Sequence, residues 1–422
     1  MIFNTSVFFT LFLAGAIFNF ALNQFLEASD FLYRKKHGKK IPGRLKEFVN
    51  IHELEKTCAY EDAKYFLWIP SNILEFILKL VLVISGFYVF IYEAFVDLTM
   101  NIFLTVILFA FVSSIPSFII SLPFSLYREF RIEKKFGFSN MTLKMWFLDL
   151  VKSAVLSAVI SIPILCAATA LIYYFNSFWW ILFAAVYLAF SLGISYIYPV
   201  LIAPIFNKFD PLPESETKER IEKLFAKTGF KTSGIFTMDA SRRSNHSNAY
   251  FTGFGKNKRI VLYDTLIKQL EPSEIEAVLG HELGHCKNHH IAKRMIVMIP
   301  LVFIMLFAAS MIAKIPSLYS AFGYEPAKDA MIYIQPLGLF FIGLIFEGYT
   351  DIFSLGSNFF SRKDEFQADA YSKEICGTSM PLVSALVKLN KENLSELEPP
   401  KIYSMFNYSH PPLMERIRAL ES

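Results

Sequence analysis

Charged side chains are scarce in this chain: they make up 18% of its 422 residues, where a soluble domain carries about 25%. Hydrophobic residues reach 54%, Phe alone occurs 45 times, and mean hydropathy is +0.41. Such a composition excludes an ordinary soluble domain and makes the lipid bilayer the first expected partner. The net charge of +4 is small and its basic residues sit in loops, so no nucleic-acid partner is expected. Cysteine is sparse too. Cys58, Cys166, Cys286 and Cys376 form no C-x-x-C pair, which argues against a disulfide framework or a thiolate metal site. Internal repeats and low-complexity tracts are missing. The N-terminal apolar run lacks a basic n-region and a small-residue cleavage site, so it reads as a retained first span.

What is present is a series of apolar runs. A helix needs roughly 20 mostly apolar residues to cross a bilayer. Seven segments meet that length: Val7–Leu26, Phe66–Tyr92, Ile102–Phe124, Trp146–Phe175, Phe178–Pro204, Met295–Ile315 and Met331–Phe353. The loop after the first carries Arg34, Lys35, Lys36, Lys39, Lys40 and Arg44, and the loop after the third carries Arg128, Arg131, Lys134 and Lys135. The loop after the second has Glu93 and Asp97 and no basic residue. Basic loops stay in the cytoplasm, so the N-terminus is expected outside and the C-terminus inside. Residues 1–204 then hold spans one to five with two basic loops, and residues 295–353 hold spans six and seven. Residues 205–294 and 354–422 are the sizeable polar pieces, both on the cytoplasmic side, where they can combine into one domain.

Local signals fill in the first polar piece. Glu214–Thr228 reads as an amphipathic helix stopped by Gly229. Gly234–Met238, Asn248–Thr252 and Arg259–Tyr263 read as short strands, the last two joined by a turn at Gly253–Asn257. Ser273 and Glu276 are expected to cap the following helix. The fold class is therefore mainly α and polytopic, with a small β-sheet on the cytoplasmic side.

That helix carries His281-Glu282-Leu283-Gly284-His285. Histidines at i and i+4 share one helix face, and a carboxylate between them can hold a water on a shared metal, the HExxH arrangement of zinc peptidases. A third protein ligand is needed, with the fourth position left to water. Glu365 is the best candidate, and Asp369, one turn on, can accept the free N–H of a ligating imidazole. Spacing alone leaves a charged helix face equally open, because acidic pairs at i,i+4 are common. Cys286 reads as a small helix residue, and His289 and His290 as helix-end caps or interfacial residues. Charges inside the spans (Glu75, Lys79, Asp149, Lys152, Glu347, Asp351) are expected either to face protein or water or to sit near helix ends with their stems snorkelling to the interface, and Glu75–Lys79 and Asp149–Lys152 are spaced to pair.

Four motifs together resemble the type I CAAX prenyl endopeptidases, integral-membrane zinc proteases: His281–His285, the Ser361–Asp369 segment S-R-K-D-E-F-Q-A-D, the strand from Ser247 to Gly253, and Asn407-Tyr408-Ser409-His410-Pro411-Pro412. The resemblance covers essentially the whole chain. It implies one Zn²⁺ held by His281, His285 and Glu365. It makes Glu282 the base that activates water, Asp369 the orienter of a ligand histidine, and His410, with Arg416 nearby, the oxyanion donor. Such a donor is worth roughly 3–4 kcal/mol, although by itself His410 reads as a turn residue before two prolines. The resemblance also implies a water-filled chamber among the helices and a peptide or prenylated protein substrate, with no obligate protein partner. Asn248, Ala249 and Tyr250 would hold that substrate as an added strand; a hairpin with no substrate contact is the bland alternative. Localisation is then either the endoplasmic reticulum or a bacterial inner membrane, a compact length tilting toward the latter. Competing functions are a heat-shock-type quality-control metalloprotease, an intramembrane site-2-type protease, and a seven-span zinc-binding receptor or transporter without hydrolysis. Seven spans disfavour the first, the charged flanks of the motif the second, and Glu282 the third.

Overall fold

The computed structural model describes residues 6–252, 258–326 and 331–422. Six of its helices are long and apolar enough to cross a membrane: Val7–His37, Ile51–Ile84, Ile102–Phe136, Leu143–Tyr174, Trp179–Phe206 and His290–Ile312. Tyr333–Glu347 and Thr350–Cys376 meet at 64° and make a seventh span when the bent pair is counted as one. Six of the seven expected spans are therefore found as single helices, the seventh falls on the bent pair, and the ends differ. Helix Ile51–Ile84 begins 15 residues before the apolar run at Phe66, because Asn50 and Glu53 close a capping box there. It stops at Ile84, since Gly86 turns the chain in a left-handed conformation (φ 72°) into a separate helix, Phe87–Thr99. At 1.5 Å per residue, 34 residues extend about 50 Å, well beyond a bilayer core of about 30 Å. Hydropathy marks the apolar part of such a helix and misses the polar part that projects from the membrane.

The charges within the spans find partners across helices more than along them. Lys79 pairs with Glu347 at 2.6 Å, in place of the expected Glu75. Asp149 takes a two-pronged bond from Arg243 at 2.8 and 3.2 Å, with Lys152 more distant at 3.6 Å. Asp351 accepts from Asn19 and Asn23 on the first span. Asn19, Asn72, Glu75, Lys79, Ser113 and Glu347 line a cavity of about 390 Å³ among the helices. Near one end of the first span, buried Arg34 binds Asp62 (3.1 Å), Glu396 (2.6 Å) and Asp30. That guanidinium joins the first two helices to a loop in the C-terminal part of the chain.

The two polar pieces do form one unit. Four strands, β1 (Phe209–Pro211), β2 (Gly234–Met238), β3 (Ala249–Thr252) and β4 (Arg259–Tyr263), lie in the order β1-β2-β4-β3. β2 and β4 run parallel, while β3 pairs antiparallel with β4 in the expected hairpin. The expected turn at Gly253–Asn257 lies outside the described residues. Helix Glu216–Thr228, capped by Ser215 and closed by Gly229 at φ 66°, packs Ile221, Leu224 and Phe225 into a core with Ile260 and Leu262.

The helix bearing the histidines, Pro272–Lys287, is capped two residues earlier than expected, at Glu271 in place of Ser273. Glu271 and Glu274 form its capping box, with Pro272 in the first turn, where a missing N–H costs nothing. It lies directly on helix Thr350–Cys376, and Gly284 permits the approach. A Cβ there would stand 2.7 Å from Ala368 Cα and 3.0 Å from its carbonyl oxygen, so backbone itself would have to move. Gly284→Ala is therefore expected to destabilise the protein by about 1–3 kcal/mol, read as a lowered Tm. A Tm equal to that of the unmodified protein would refute this close-contact role.

Candidate active site and metal centre

The contact between these two helices places the chemistry. His281 and His285 project from one, and Glu365 and Asp369 from the other. His281 Nε2 and His285 Nε2 are 3.2 Å apart. Glu365 reaches both, with Oε1 3.2 Å from His285 Nε2 and Oε2 3.3 Å from His281 Nε2. These ligand atoms all lie within 4.8 Å of one another. Bonds of about 2.0–2.1 Å to a tetrahedral ion would set its ligands about 3.3 Å apart, so the spacing fits. A second observation agrees. Glu365 is 3% exposed, yet its Oε2 accepts no hydrogen bond among the described residues. A buried carboxylate oxygen in that state is costly unless a cation completes it.

Behind His281, the other ring nitrogen, Nδ1, lies 2.7 Å from Asp369 Oδ1. Arg416 grips the same carboxylate through Nε (2.9 Å) and Nη2 (2.6 Å). Asp369 thus fixes the His281 tautomer, and Arg416 fixes Asp369. Arg416 stays 3.9 Å from Glu365 Oε2 and is buried, behind the His281–Asp369 pair. Burial opposes charging of His281, but the Asp369 hydrogen bond and the Glu365 carboxylate outweigh it and push the imidazole up to about 9. The pocket is one that stabilises positive charge. Glu282 is half-buried, and burial raises its carboxyl above the ordinary glutamate value. It has no hydrogen bond or ion pair among the described residues.

His410 enters from the last loop. Its side chain is 64% exposed and its Nε2 is 3.4 Å from Glu365 Oε1. The preceding helix, Lys401–Asn407, is tied to the Glu365 helix: Arg362 donates to the Ser404 carbonyl (2.7 Å) and Asn358 to that of Phe406 (2.6 Å). Ser361–Asp369 thus carries the candidate ligand Glu365 and also anchors the His410 loop, a pairing that spacing alone does not reveal. β3 is an edge strand, with β4 on one side and no strand on its other edge among the described residues. Asn248 is exposed at its start, Ala249 is buried, and Tyr250 is half-buried near Tyr263.

One residue departs from its expected place. His290 does stand at a helix end, opening helix His290–Ile312, but it is 1% exposed and its ring lies against His285, so it is not interfacial. His289 is the exposed one.

Fold and site together define a membrane-embedded metallopeptidase. The description of Peptidase family M48 matches residues 211–422, and that of the CAAX prenyl protease N-terminal domain with five membrane helices matches residues 30–208. The chain is 42% identical to the CAAX prenyl protease 1 homolog of Arabidopsis thaliana over 309 residues, covering 72% of this chain and 70% of that protein. It is 34% identical to CAAX prenyl protease 1 of Saccharomyces cerevisiae over 431 residues, covering 96% of this chain and 94% of that one. The crystal structure of S. mikatae Ste24p superposes with a TM-score of 0.91 at 31% identity, covering 99% of this chain and 100% of that one. The protein belongs to the M48 peptidases of the CAAX prenyl protease 1 group and is a membrane zinc metalloendopeptidase. The heat-shock-type and receptor readings give way to that membership. The near-complete mutual coverage with the yeast protein also shows that the chain is not short for its family, so its length does not favour a bacterial source.

Proposed function

We propose that the enzyme removes the C-terminal tripeptide of prenylated CAAX proteins at a single Zn²⁺ site at the cytoplasmic edge of the membrane. The observation that carries this reading is where the ligands sit relative to the spans. The histidine helix ends at Lys287 and the sixth span begins at His290, while Glu365 lies on the helix that continues the bent seventh span. That position supports hydrolysis at the depth where a lipid-modified C-terminus meets water. Basic loops after the first and third spans support a cytoplasmic site and an N-terminus outside or in the lumen.

His281, His285 and Glu365 would hold the ion, which when bound supplies Lewis acidity toward the scissile carbonyl and acidifies a water. Glu282 takes the proton of the attacking water on its carboxylate and hands it to the leaving amine. Its burial, which favours the protonated form, suits the second half of that cycle. His410 donates an N–H to the developing oxyanion. Asp369, bonded to His281 Nδ1, leaves the Nε2 lone pair of His281 free toward Glu365 and His285, where the ion would be held. The free edge of β3 accepts the substrate as an extended strand, so main-chain hydrogen bonds hold varied sequences and Asn248 adds a side-chain contact.

The test is cleavage of a farnesylated CAAX peptide by the purified chain in lipid vesicles, with the non-prenylated peptide alongside. Release of the tripeptide only from the prenylated form is expected. Equal rates on both would refute the prenyl-specific reading. Cleavage by the chain alone would also show that no second protein is required. Asn248→Ala is expected to raise KM about 2–10-fold with kcat nearly unchanged, the effect of one hydrogen bond shared by bound and transition states. An unchanged KM would remove Asn248 from the substrate site.

A further inference from the structure

We infer that His290 is a positioning residue for the metal: it accepts a hydrogen bond from His285 and thereby holds the second ligand imidazole in its metal-binding tautomer. This rests on the metal reading given above. In a continuous helix His290 could not do so, because position i+5 lies about 140° around from position i. The chain breaks the helix at the right place. Asn288 caps it, its backbone and side-chain N–H groups both meeting the Gly284 carbonyl at 3.0 Å. His289 then takes a left-handed conformation (φ 54°, ψ 36°), and a new helix starts at His290. That turn brings the buried His290 ring back over His285, with the two Nδ1 atoms 2.9 Å apart.

The tautomers follow from one requirement. His285 Nε2 lies among the ligand atoms facing Glu365 and His281, so its lone pair must be free for a metal. The ring proton of His285 is then on Nδ1 and is donated to His290 Nδ1. His290 carries its own proton on Nε2, and the Gln367 Oε1 atom waits 3.0 Å away to accept it. Gln367 stands two residues beyond Glu365 on the same helix, so one helix supplies a ligand and the far end of the chain of bonds that orients another. Asp364 Oδ1, 3.6 Å from His290 Nε2, is beyond hydrogen-bond distance and is held by Arg294 at 3.0 Å. The two ligand histidines are therefore oriented differently: His281 by a carboxylate, His285 by a neutral imidazole that ends on an amide.

Zinc affinity, measured by competition with a chromophoric chelator, tests this on the full-length purified protein. The visible spectrum of the Co²⁺-substituted enzyme reports ligand geometry independently. Loss of an orienting partner of this kind weakens metal binding about 10–100-fold, and His290→Ala is expected to fall in that range with a shifted Co²⁺ spectrum. His290→Asn keeps an acceptor near the Nδ1 position and should recover most of the affinity; Gln367→Met should produce a smaller loss. Zinc affinity within twofold of the unmodified protein and an unchanged Co²⁺ spectrum in His290→Ala would overturn the inference. Where His290→Ala does not fold, the same result in Gln367→Met overturns it. An unmodified protein that takes up no zinc would sink the metal reading and this inference together, whereas zinc uptake undiminished by the variants would sink this inference alone.

Discussion

Glu282→Gln is expected to lower kcat by about 10²–10⁴-fold, the range general acid–base catalysis contributes, while metal content stays at one per chain. The two halves of this expectation have separate physical origins. Glu282 is not among the mutually close ligand atoms, and it makes no hydrogen bond or ion pair among the described residues that would hold His281 or His285 in place. Its amide replacement nearly preserves volume, so helix Pro272–Lys287 keeps its packing on helix Thr350–Cys376. What disappears is a group able to take and return a proton. The loss should therefore fall on kcat more than on KM, since the proton moves only in the chemical step. Turnover of the farnesylated peptide, read beside metal stoichiometry by elemental analysis, checks both. Retained turnover with bound metal would move the base elsewhere, and loss of metal would mean that Glu282 has a structural role the geometry does not show.

Most of the site could be read in the sequence because its parts are local or carry strong constraints. His281 and His285 follow from helix periodicity, and Glu365 and Asp369 lie one turn apart on another helix. Spacing could not show that these two helices touch; that depends on Gly284, whose missing side chain lets Ala368 backbone approach. The expected Ser273 cap failed because Glu271 makes the same box two residues earlier and Pro272 fits the first helical turn. The burial of His290 against His285 is hidden from the sequence for a related reason. On an unbroken helix the i,i+4 neighbour of His285 is His289, whereas one left-handed residue brings His290 there instead. Nothing in the local composition announces a left-handed histidine. The signal that was available is Asn288, a residue that often ends helices. Span lengths were misjudged because hydropathy measures contact with lipid, and caps such as Asn50 determine where a helix begins.

Glu365→Ala is expected to lose the metal outright, with an affinity loss exceeding the roughly 100-fold upper value for an orienting partner. Glu365 supplies the negative charge of the three-ligand set, and both its oxygens face ligand nitrogens at 3.2 and 3.3 Å. Removing it leaves two neutral imidazoles on one helix, too few for the three protein ligands that a catalytic zinc site requires. Asp369→Asn should be milder, about 10–100-fold, because it alters the orientation of His281 and leaves the ligand set intact. Thermal unfolding separates these effects from general damage. A ligand present at 1,000 times its Kd stabilises the folded state by about 4.1 kcal/mol, so added zinc should raise the Tm of the unmodified protein and of Asp369→Asn. It should leave that of Glu365→Ala unchanged. The metal-free Glu365→Ala protein also no longer buries a carboxylate oxygen without a hydrogen-bond partner, which offsets part of the packing lost with the side chain. A zinc-dependent rise in the Tm of Glu365→Ala, equal to that of the unmodified protein, would remove Glu365 from the ligand set and with it the idea that the two polar segments share one ion.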